Sequence, residues 1–176
     1  MKKNVVILMT VIIALVMCRL SASDLFFANT DLKAGVSYSW EMEGNGFQIG
    51  SLSRFSGTNH RLGAELVWWY TDKTGVDIYR VADINFNYNY ILVDTGWFRF
   101  YPLAVLGYHH RYWKSGTVSQ NNSEVAYGLG AGIEIGMPRV DEYQWEVIRI
   151  YIEPRYFLND DTKLQLSVGA YIRYPG

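Results

Sequence analysis

Apolar and polar residues alternate along most of this chain with a period of two. The clearest stretch runs from Val125 to Ile135, where an apolar row alternates with a row of small or polar residues that begins at Ala126 and ends at Glu134. Successive side chains of a β-strand point to opposite faces of the sheet. The pattern therefore predicts a strand with one apolar face and one small or polar face.

The same alternation predicts eight strands, separated by short segments rich in Gly, Asn and Asp. The predicted strands are Leu32–Met42, Phe47–Phe55, Arg61–Tyr70, Ile78–Tyr90, Trp97–Trp113, Val125–Ile135, Trp145–Phe157 and Lys163–Tyr174. Alternation slips near Ser51, which predicts a β-bulge there. Lys114–Ser123 is predicted to be the longest polar loop. Consecutive strands with short connections predict an all-β fold, a single eight-stranded antiparallel up-and-down barrel.

Residues 1–22 are predicted to be a secretory signal peptide. Two lysines precede an apolar run that ends at Cys18, and small residues around Ala22 offer a cleavage site. The run has about 14 residues, fewer than the roughly 20 that a membrane-spanning helix needs. Two alternatives remain open, an uncleaved anchor and a lipoprotein whose first mature residue is Cys18. We expect residues 23–176 to form the barrel domain.

Composition narrows the classes of function. Without residues 1–22 the chain loses three of its 16 basic residues and none of its 17 acidic residues, which leaves 13 basic against 17 acidic. This balance, without basic clustering, argues against a nucleic-acid partner. Cys18 is the one cysteine, so the mature chain would contain neither a disulfide nor a cysteine-bound metal. The 14 tyrosines and 6 tryptophans favour strands over helices.

Alternation alone does not say which face of the barrel meets water. A soluble lipocalin-like barrel would bury its apolar row, whereas a membrane barrel turns that row to lipid. The polar rows are mostly Gly, Ser and Asn, which suit a narrow lumen, and strands of about 10 residues can cross a bilayer at a tilt. Aromatic residues at strand ends further favour a transmembrane barrel with interfacial girdles. The predicted girdle residues are Trp40, Trp68, Tyr70, Tyr88, Tyr90, Tyr112, Trp145, Tyr156 and Tyr174.

Charged residues on the polar rows would then face the lumen. Buried charges need partners, so mixed signs in a narrow lumen predict a paired network that acts as a plug. The predicted members are Glu41, Glu65, Asp83, Arg99, Arg111, Glu134, Arg149, Glu153, Arg155 and Arg173. The alternative is that these are surface charges of a soluble barrel.

Across the mature chain this pattern resembles the small eight-stranded outer-membrane barrels of the OmpA transmembrane-domain and OmpX type. The most specific part is Leu164–Tyr174, which is similar to the C-terminal signal read by the barrel-assembly machinery, although Pro175 and Gly176 follow the terminal aromatic residue. The resemblance implies integral insertion in a bacterial outer membrane. It also implies contact with outer-membrane lipid and lipopolysaccharide, and with the assembly machinery during biogenesis.

Candidate chemistry is sparse. His109 and His110 are adjacent on one strand and point to opposite faces, and His60 lies in a turn, so no metal site is predicted. The glycines between Gly128 and Gly132 are spaced for strand alternation and not for a dinucleotide turn, so no cofactor is predicted.

The lipid A deacylases of the PagL type share the eight-stranded shape, and they place a His and a Ser two residues apart on one strand with a Glu on the next. His110 and Glu124 fit that arrangement, but Tyr112 stands where the nucleophilic serine belongs and Ser115 is the nearest hydroxyl. Covalent acyl transfer needs a nucleophile beside its base. A deacylase is therefore an alternative and not the main prediction.

The sequence predicts a non-enzymatic barrel with a structural or interaction role at the cell surface or within an envelope complex. Lys114–Ser123 is the predicted contact site for an envelope or host-surface partner. The alternatives are a lipid A-modifying enzyme and a soluble periplasmic binding barrel.

Overall fold

A computed structural model describes residues 27–40, 43–70, 78–136, 148–158 and 164–173, and gives only the backbone for 27–29, 78–80 and 173. The described residues form nine strands. They are β1 Phe27–Ser39, β2 Gly44–Phe55, β3 His60–Tyr70, β4 Ile78–Tyr90, β5 Val93–Asp94, β6 Phe98–Ser115, β7 Val118–Gly136, β8 Arg149–Phe157 and β9 Leu164–Arg173. No helix in this part of the chain is long and apolar enough to cross a membrane.

Eight of the strands close into an antiparallel barrel. Each pairs with its neighbour in sequence, β1 pairs with β9, and β4 pairs directly with β6. The two-residue strand β5 lies outside this ring and pairs with Arg99 and Phe100 at the start of β6. The predicted eight-stranded up-and-down barrel is confirmed, with β5 as an addition that the sequence did not indicate.

Side chains alternate between the two faces of the barrel wall along every ring strand. In β6, for example, Tyr101, Leu103 and Val105 are buried inside, whereas Leu106 and Tyr108 are exposed outside. The alternation arises because an extended backbone turns each side chain away from the previous one. The inward and outward rows match those predicted from the sequence.

The predicted loop at Lys114–Ser123 is wrong. β6 continues to Ser115 and β7 begins at Val118, so only Gly116 and Thr117 form the turn. Gly116 has a φ of 56°, the left-handed conformation that a tight hairpin turn requires. This hairpin extends past the rest of the barrel wall, so neither of its faces has to be apolar. The alternation of apolar and polar residues that marks the other strands is therefore missing from its sequence.

One smaller prediction also fails. The pairing of β2 with β1 and with β3 runs without interruption through Ser51, so there is no bulge at that residue. Alternation slips there because Leu52 faces inward while Ser51 faces outward. An irregular register lies instead between Phe27 and Asn29, at the start of β1.

Candidate functional site

Four charged side chains meet at the centre of the barrel, and we call them the central cluster. They are Lys33 from β1, Glu65 from β3, and Glu153 and Arg155 from β8. Lys33 Nζ lies 2.8 Å from Glu65 Oε2 and 2.6 Å from Glu153 Oε2. Arg155 Nη2 donates to the same two carboxylates, at 3.0 Å and 2.6 Å. Two cations and two anions therefore balance in charge.

Uncharged groups donate further hydrogen bonds to the two carboxylates of the central cluster. The hydroxyls of Tyr101 and Tyr171 donate to Glu153 Oε1 at 2.7 Å and 2.8 Å. The Asn85 amide donates to Glu65 Oε1 at 3.2 Å. Burying ion pairs has a large desolvation cost unless the remaining lone pairs are also satisfied. These donors supply that satisfaction from strands on both sides of the lumen.

A second group of charges lies nearer the barrel end that carries the start of β1 and the end of β9, here called the terminal end. Arg61 Nη1 is 2.5 Å from Glu134 Oε1, and Arg99 Nη1 is 3.4 Å from the other oxygen of that carboxylate. Arg99 Nε also donates to Asp94 Oδ2 at 2.9 Å. The short strand β5 is thereby tied to the inside of the ring.

Asp94 belongs to the connection outside the membrane-spanning strands. Partial burial acts to raise the pKa of its carboxyl, but the hydrogen bond from the Gly96 amide and the charge of Arg99 outweigh this effect. The pKa of Asp94 is therefore held below its ordinary value.

The opposite barrel end has a third polar group. The Trp69 indole N–H donates to Asp83 Oδ2, and His109 Nδ1 lies 3.8 Å from Asp83 Oδ1. At the rim, Arg111 Nη2 is 3.0 Å from Glu124 Oε1, and both residues are partly exposed. Burial of charged groups thus decreases from the centre toward this rim.

Part of the interior is apolar. Leu103, Val105, Ala126 and Phe157 pack together with the ring of Tyr101. The inward glycines of β7 make room for these rings, and a methyl group at Gly132 would overlap the ring of Tyr101. The sequence prediction described the inward rows as mostly Gly, Ser and Asn, and these large apolar side chains lie on the same rows.

The structure places the predicted lumen charges that it describes at two levels of burial. Glu65, Asp83, Arg99, Glu134, Glu153 and Arg155 are buried inside the barrel. Arg111 and Arg149 lie half-buried at opposite ends, and Arg149 donates to the Gly96 carbonyl at 2.7 Å. The Glu41 residue and the Arg173 side chain lie outside the described part.

Lys33 and Arg61 were missed, although both lie on the polar rows read from the sequence. Both are buried, and each pairs with a predicted carboxylate. The signal that could have found them is their position in the same inward register as Glu65.

The predicted girdle residues that the structure describes all lie on the outward row. Trp40, Trp68, Tyr70, Tyr88, Tyr90 and Tyr156 are exposed, and Tyr112 is half-buried. Trp145 and Tyr174 lie outside the described residues. Between these aromatic residues the outward row is apolar, with exposed Leu, Ile, Val and Phe side chains on every ring strand. Such a continuous apolar belt suits lipid and not water.

The hairpin of β6 and β7 extends beyond this belt, and we call His110–Glu124 the extension. Among the described residues, β7 pairs with β8 only from Gly128 onward, so the residues of β7 in the extension pair there with β6 alone. On the outward face of the extension, His110 Nδ1 lies 2.8 Å from Ser123 Oγ. Among the described residues, no group of three or more His, Cys, Asp or Glu side chains could hold a metal ion.

No family model and no curated protein sequence matches the chain. Solved structures do resemble it. The N-terminal β-barrel domain of Pseudomonas aeruginosa OprF superposes with a TM-score of 0.61 at 10% identity, over 85% of this chain and 99% of that domain. The attachment invasion locus protein Ail of Yersinia pestis gives 0.56 at 14% identity, over 83% and 98% of the two chains. Neisserial surface protein A gives 0.54 at 12% identity, over 82% and 93%.

The protein has the fold of the small eight-stranded outer-membrane β-barrels. At these identities the similarity speaks for the fold alone. Together with the outward apolar belt, this fold makes the chain an integral outer-membrane protein, and a soluble lipocalin-like barrel is excluded because its apolar row would lie inside.

Proposed function

We propose that the protein is a non-enzymatic outer-membrane barrel with a closed lumen and a structural or interaction role. Its termini lie in the periplasm and the extension projects from the cell surface, where it serves a partner or an envelope complex. The observation that carries the closed lumen is the central cluster. Its four charged residues come from three strands, and all are buried.

An ion crossing the lumen would have to pass this level. To open a path, Arg155 would have to leave both Glu65 and Glu153, or Lys33 would have to do so. Separating buried charges in a low-dielectric interior is costly. The rings of Tyr101 and Tyr171 occupy the adjoining space, because both hydroxyls reach the same carboxylate. The barrel is therefore a stable scaffold more than a channel.

Planar-bilayer recording tests the closed lumen. The purified wild-type barrel is expected to show no wide, stable conductance, and Arg111→Gln at the rim should behave in the same way. The double variant Glu65→Ala with Arg155→Ala removes one cation and one anion, and we expect it to conduct. Wide and stable conductance of the wild type would contradict the proposal.

The interaction role rests on the edge of β7 at Ser119 and Asn121, which pairs with no other strand among the described residues. By the alternation of β7, Ser119 and Asn121 direct their backbone groups away from β6, on the side where Tyr127 accepts a bond from Leu158. An unpaired strand edge can accept an extended segment of another protein. This edge supports Lys114–Ser123 as the contact site. For comparison, Ail has been solved in complex with the heparin analogue sucrose octasulfate.

Biogenesis follows from the sequence. We propose that residues 1–22 are removed on export and that the barrel-assembly machinery inserts residues 23–176. Lipid and lipopolysaccharide then surround the apolar belt. N-terminal sequencing of protein extracted from outer membranes tests the cleavage, and an intact Met1 would contradict it.

A second candidate function is hydrolysis of a lipid ester in the outer leaflet. One contact favours it, because His110 and Ser123 form a base and hydroxyl pair at 2.8 Å on the outward face. No carboxylate among the described residues orients this imidazole, since Glu124 faces inward and pairs with Arg111. For this reason we rank it second. Lipid A mass spectra from cells with wild-type protein and with Ser123→Ala should be identical, and an acyl chain lost only with the wild type would establish the enzyme.

A further inference from the structure

The lumen contains two charged layers that have no residue in common. One is the central cluster. The other, which we call the terminal layer, consists of Arg61 on β3, Arg99 on β6 and Glu134 on β7. Both arginines pair with Glu134, whereas the two cations of the central cluster pair with its own two carboxylates. The uncharged side chains between the layers decide whether they are stabilised together or separately.

Tyr101 contacts both layers at once. Its hydroxyl donates to Glu153 Oε1 of the central cluster at 2.7 Å. Its ring lies under the guanidinium of Arg61, whose Cζ is 4.3 Å from the ring centroid. A cation over the face of an aromatic ring is attracted by the ring quadrupole, and the attraction strengthens where water is excluded. Tyr101 and Arg61 are 0% and 1% exposed, so this contact is dry.

Packing holds Tyr101 in this bridging position. Gly132 on β7 stands opposite it in the ladder, and a methyl group there would overlap the tyrosine ring. The ring therefore lies directly against the backbone of β7 and has little room to move by itself. A shift of Arg61 that carries the ring with it would also withdraw the hydroxyl from Glu153.

Tyr171 provides an internal comparison. Its hydroxyl donates to the same oxygen of Glu153, at 2.8 Å. The cation facing its ring is Lys33, whose Nζ lies 5.7 Å from the ring centroid and which belongs to the central cluster. Tyr171 therefore makes the hydroxyl contact of Tyr101 together with a cation of the same layer as Glu153.

We propose that Tyr101 couples the terminal layer to the central cluster, so that the two charged layers open together as one seal. When Glu134 is neutralised, Arg61 loses its ion pair and shifts, and the ring and hydroxyl of Tyr101 follow it. The inference rests on the proposed closed lumen and deepens it, because it names the residue that makes the closure cooperative. An ion entering from either end then meets a single barrier.

A double-mutant cycle tests the coupling. Glu134→Gln perturbs the terminal layer and Glu65→Gln the central cluster, and urea unfolding in lipid vesicles gives the equilibrium constants. We expect the combined effect to differ from the product of the single effects by about fivefold or more. In a Tyr101→Phe background, which keeps the ring and removes the hydroxyl, the difference should fall below about twofold. Coupling below twofold with Tyr101 intact would overturn the proposal.

A second measurement needs only the milder change at the terminal layer. The Arg155 Nε–H resonance, recorded by NMR in micelles, reports on the central cluster. Glu134→Gln should shift this resonance when Tyr101 is present and leave it in place in the Tyr101→Phe background. An unshifted resonance in Glu134→Gln alone would contradict the coupling.

Tyr171→Phe is the matched control, because it removes a hydroxyl from the same carboxylate oxygen. The fivefold coupling and the resonance shift should both persist in this background. Heat-modifiable migration on gels checks that each variant is folded. Loss of the coupling with Tyr171→Phe, or its persistence with Tyr101→Phe, would overturn the proposal. Neither measurement depends on conductance, so the coupling and the closed lumen can fail separately.

Discussion

The barrel contains the same ion pair in two settings. In the central cluster, the side chains of Arg155 and Glu65 are 1% and 0% exposed. In the extension, those of Arg111 and Glu124 are 12% and 35% exposed. Both pairs join an inward-facing arginine to an inward-facing glutamate. The two pairs share their residue types and differ in burial, so comparing them isolates the effect of burial on what each charge contributes.

At the centre, loss of one partner leaves the other charged and buried, with no water to replace it. At the rim, water and counterions screen both charges, so either side chain can lose its partner at little cost. The same two residue types are therefore structural at the centre and replaceable at the rim.

The largest predicted effect follows from breaking the central cluster. Glu65→Gln leaves Arg155 and Lys33 with one carboxylate between them, and we expect it to lower the free energy of unfolding by about 3–5 kcal/mol. Urea unfolding in lipid vesicles, followed by tryptophan fluorescence, measures the change. A loss below about 1 kcal/mol would show that the central charges are not desolvated.

The next largest effect on the free energy of unfolding comes from packing, and it is tested by comparing a glycine inside the barrel with a glycine at the hairpin turn. Gly132→Ala places a methyl group against the Tyr101 ring, and overpacking of this kind costs about 1–3 kcal/mol. Asparagine tolerates positive φ, and its Cβ at position 116 in the hairpin turn would meet no neighbouring atom. We therefore expect Gly116→Asn to lower the free energy of unfolding by about 0.5 kcal/mol or less. Equal losses in the same unfolding assay would contradict the packed interior.

Glu124→Gln at the rim is the counterpart of Glu65→Gln and has a smaller predicted effect. It breaks the pair with Arg111 in a solvated position, so we expect a loss of about 0–1 kcal/mol that shrinks further in high salt. Measured beside Glu65→Gln, this variant isolates burial from charge. A loss as large as at Glu65 would mean that the extension is buried in the membrane.

The smallest predicted effect depends on pH. The folded-state pKa of Asp94 is lowered, so its contribution is present above the unfolded value of about 4 and is lost as the pH falls through the lower folded value. Asp94→Asn should therefore be slightly less stable than the wild type at pH 7 and equally stable in strong acid. A difference that persists in strong acid would point to a structural cause unrelated to the charge.

Alternation predicted the ring strands and their faces because the two faces of each strand meet different environments. A shift of one residue would turn every side chain to the wrong face, so the sequence has to keep the pattern. The prediction succeeded at Glu65 and Leu66, where a charged residue faces the interior and the adjacent apolar residue faces outward. It failed wherever both faces of a strand share one environment. Ser119 and Asn121 are polar in a strand because both faces of the extension are wet, and sequence reasoning therefore read them as loop.

The interior contacts were only partly predictable. A register gives the face of Lys33 but not its partner, since contacts across the lumen depend on barrel tilt and stagger, which local sequence does not encode. The pairing of His110 with Ser123 was not foreseen for a different reason, because Ser123 was read as part of a loop and not as the strand partner of His110, and Ser115 was considered instead. The strand β5 is too short for any periodic signal.

The central claim is that the two rows of each strand face two different environments, lipid outside and a packed polar interior inside. Spin labels at single cysteines in β3 test it directly, because the chain without residues 1–22 contains no cysteine. Labels at Leu62 and Leu66 should be accessible to oxygen dissolved in lipid and protected from a water-soluble nickel complex. A label at the inward-facing Val67 should be protected from both. Access of the nickel complex to Leu62 and Leu66 would contradict the account.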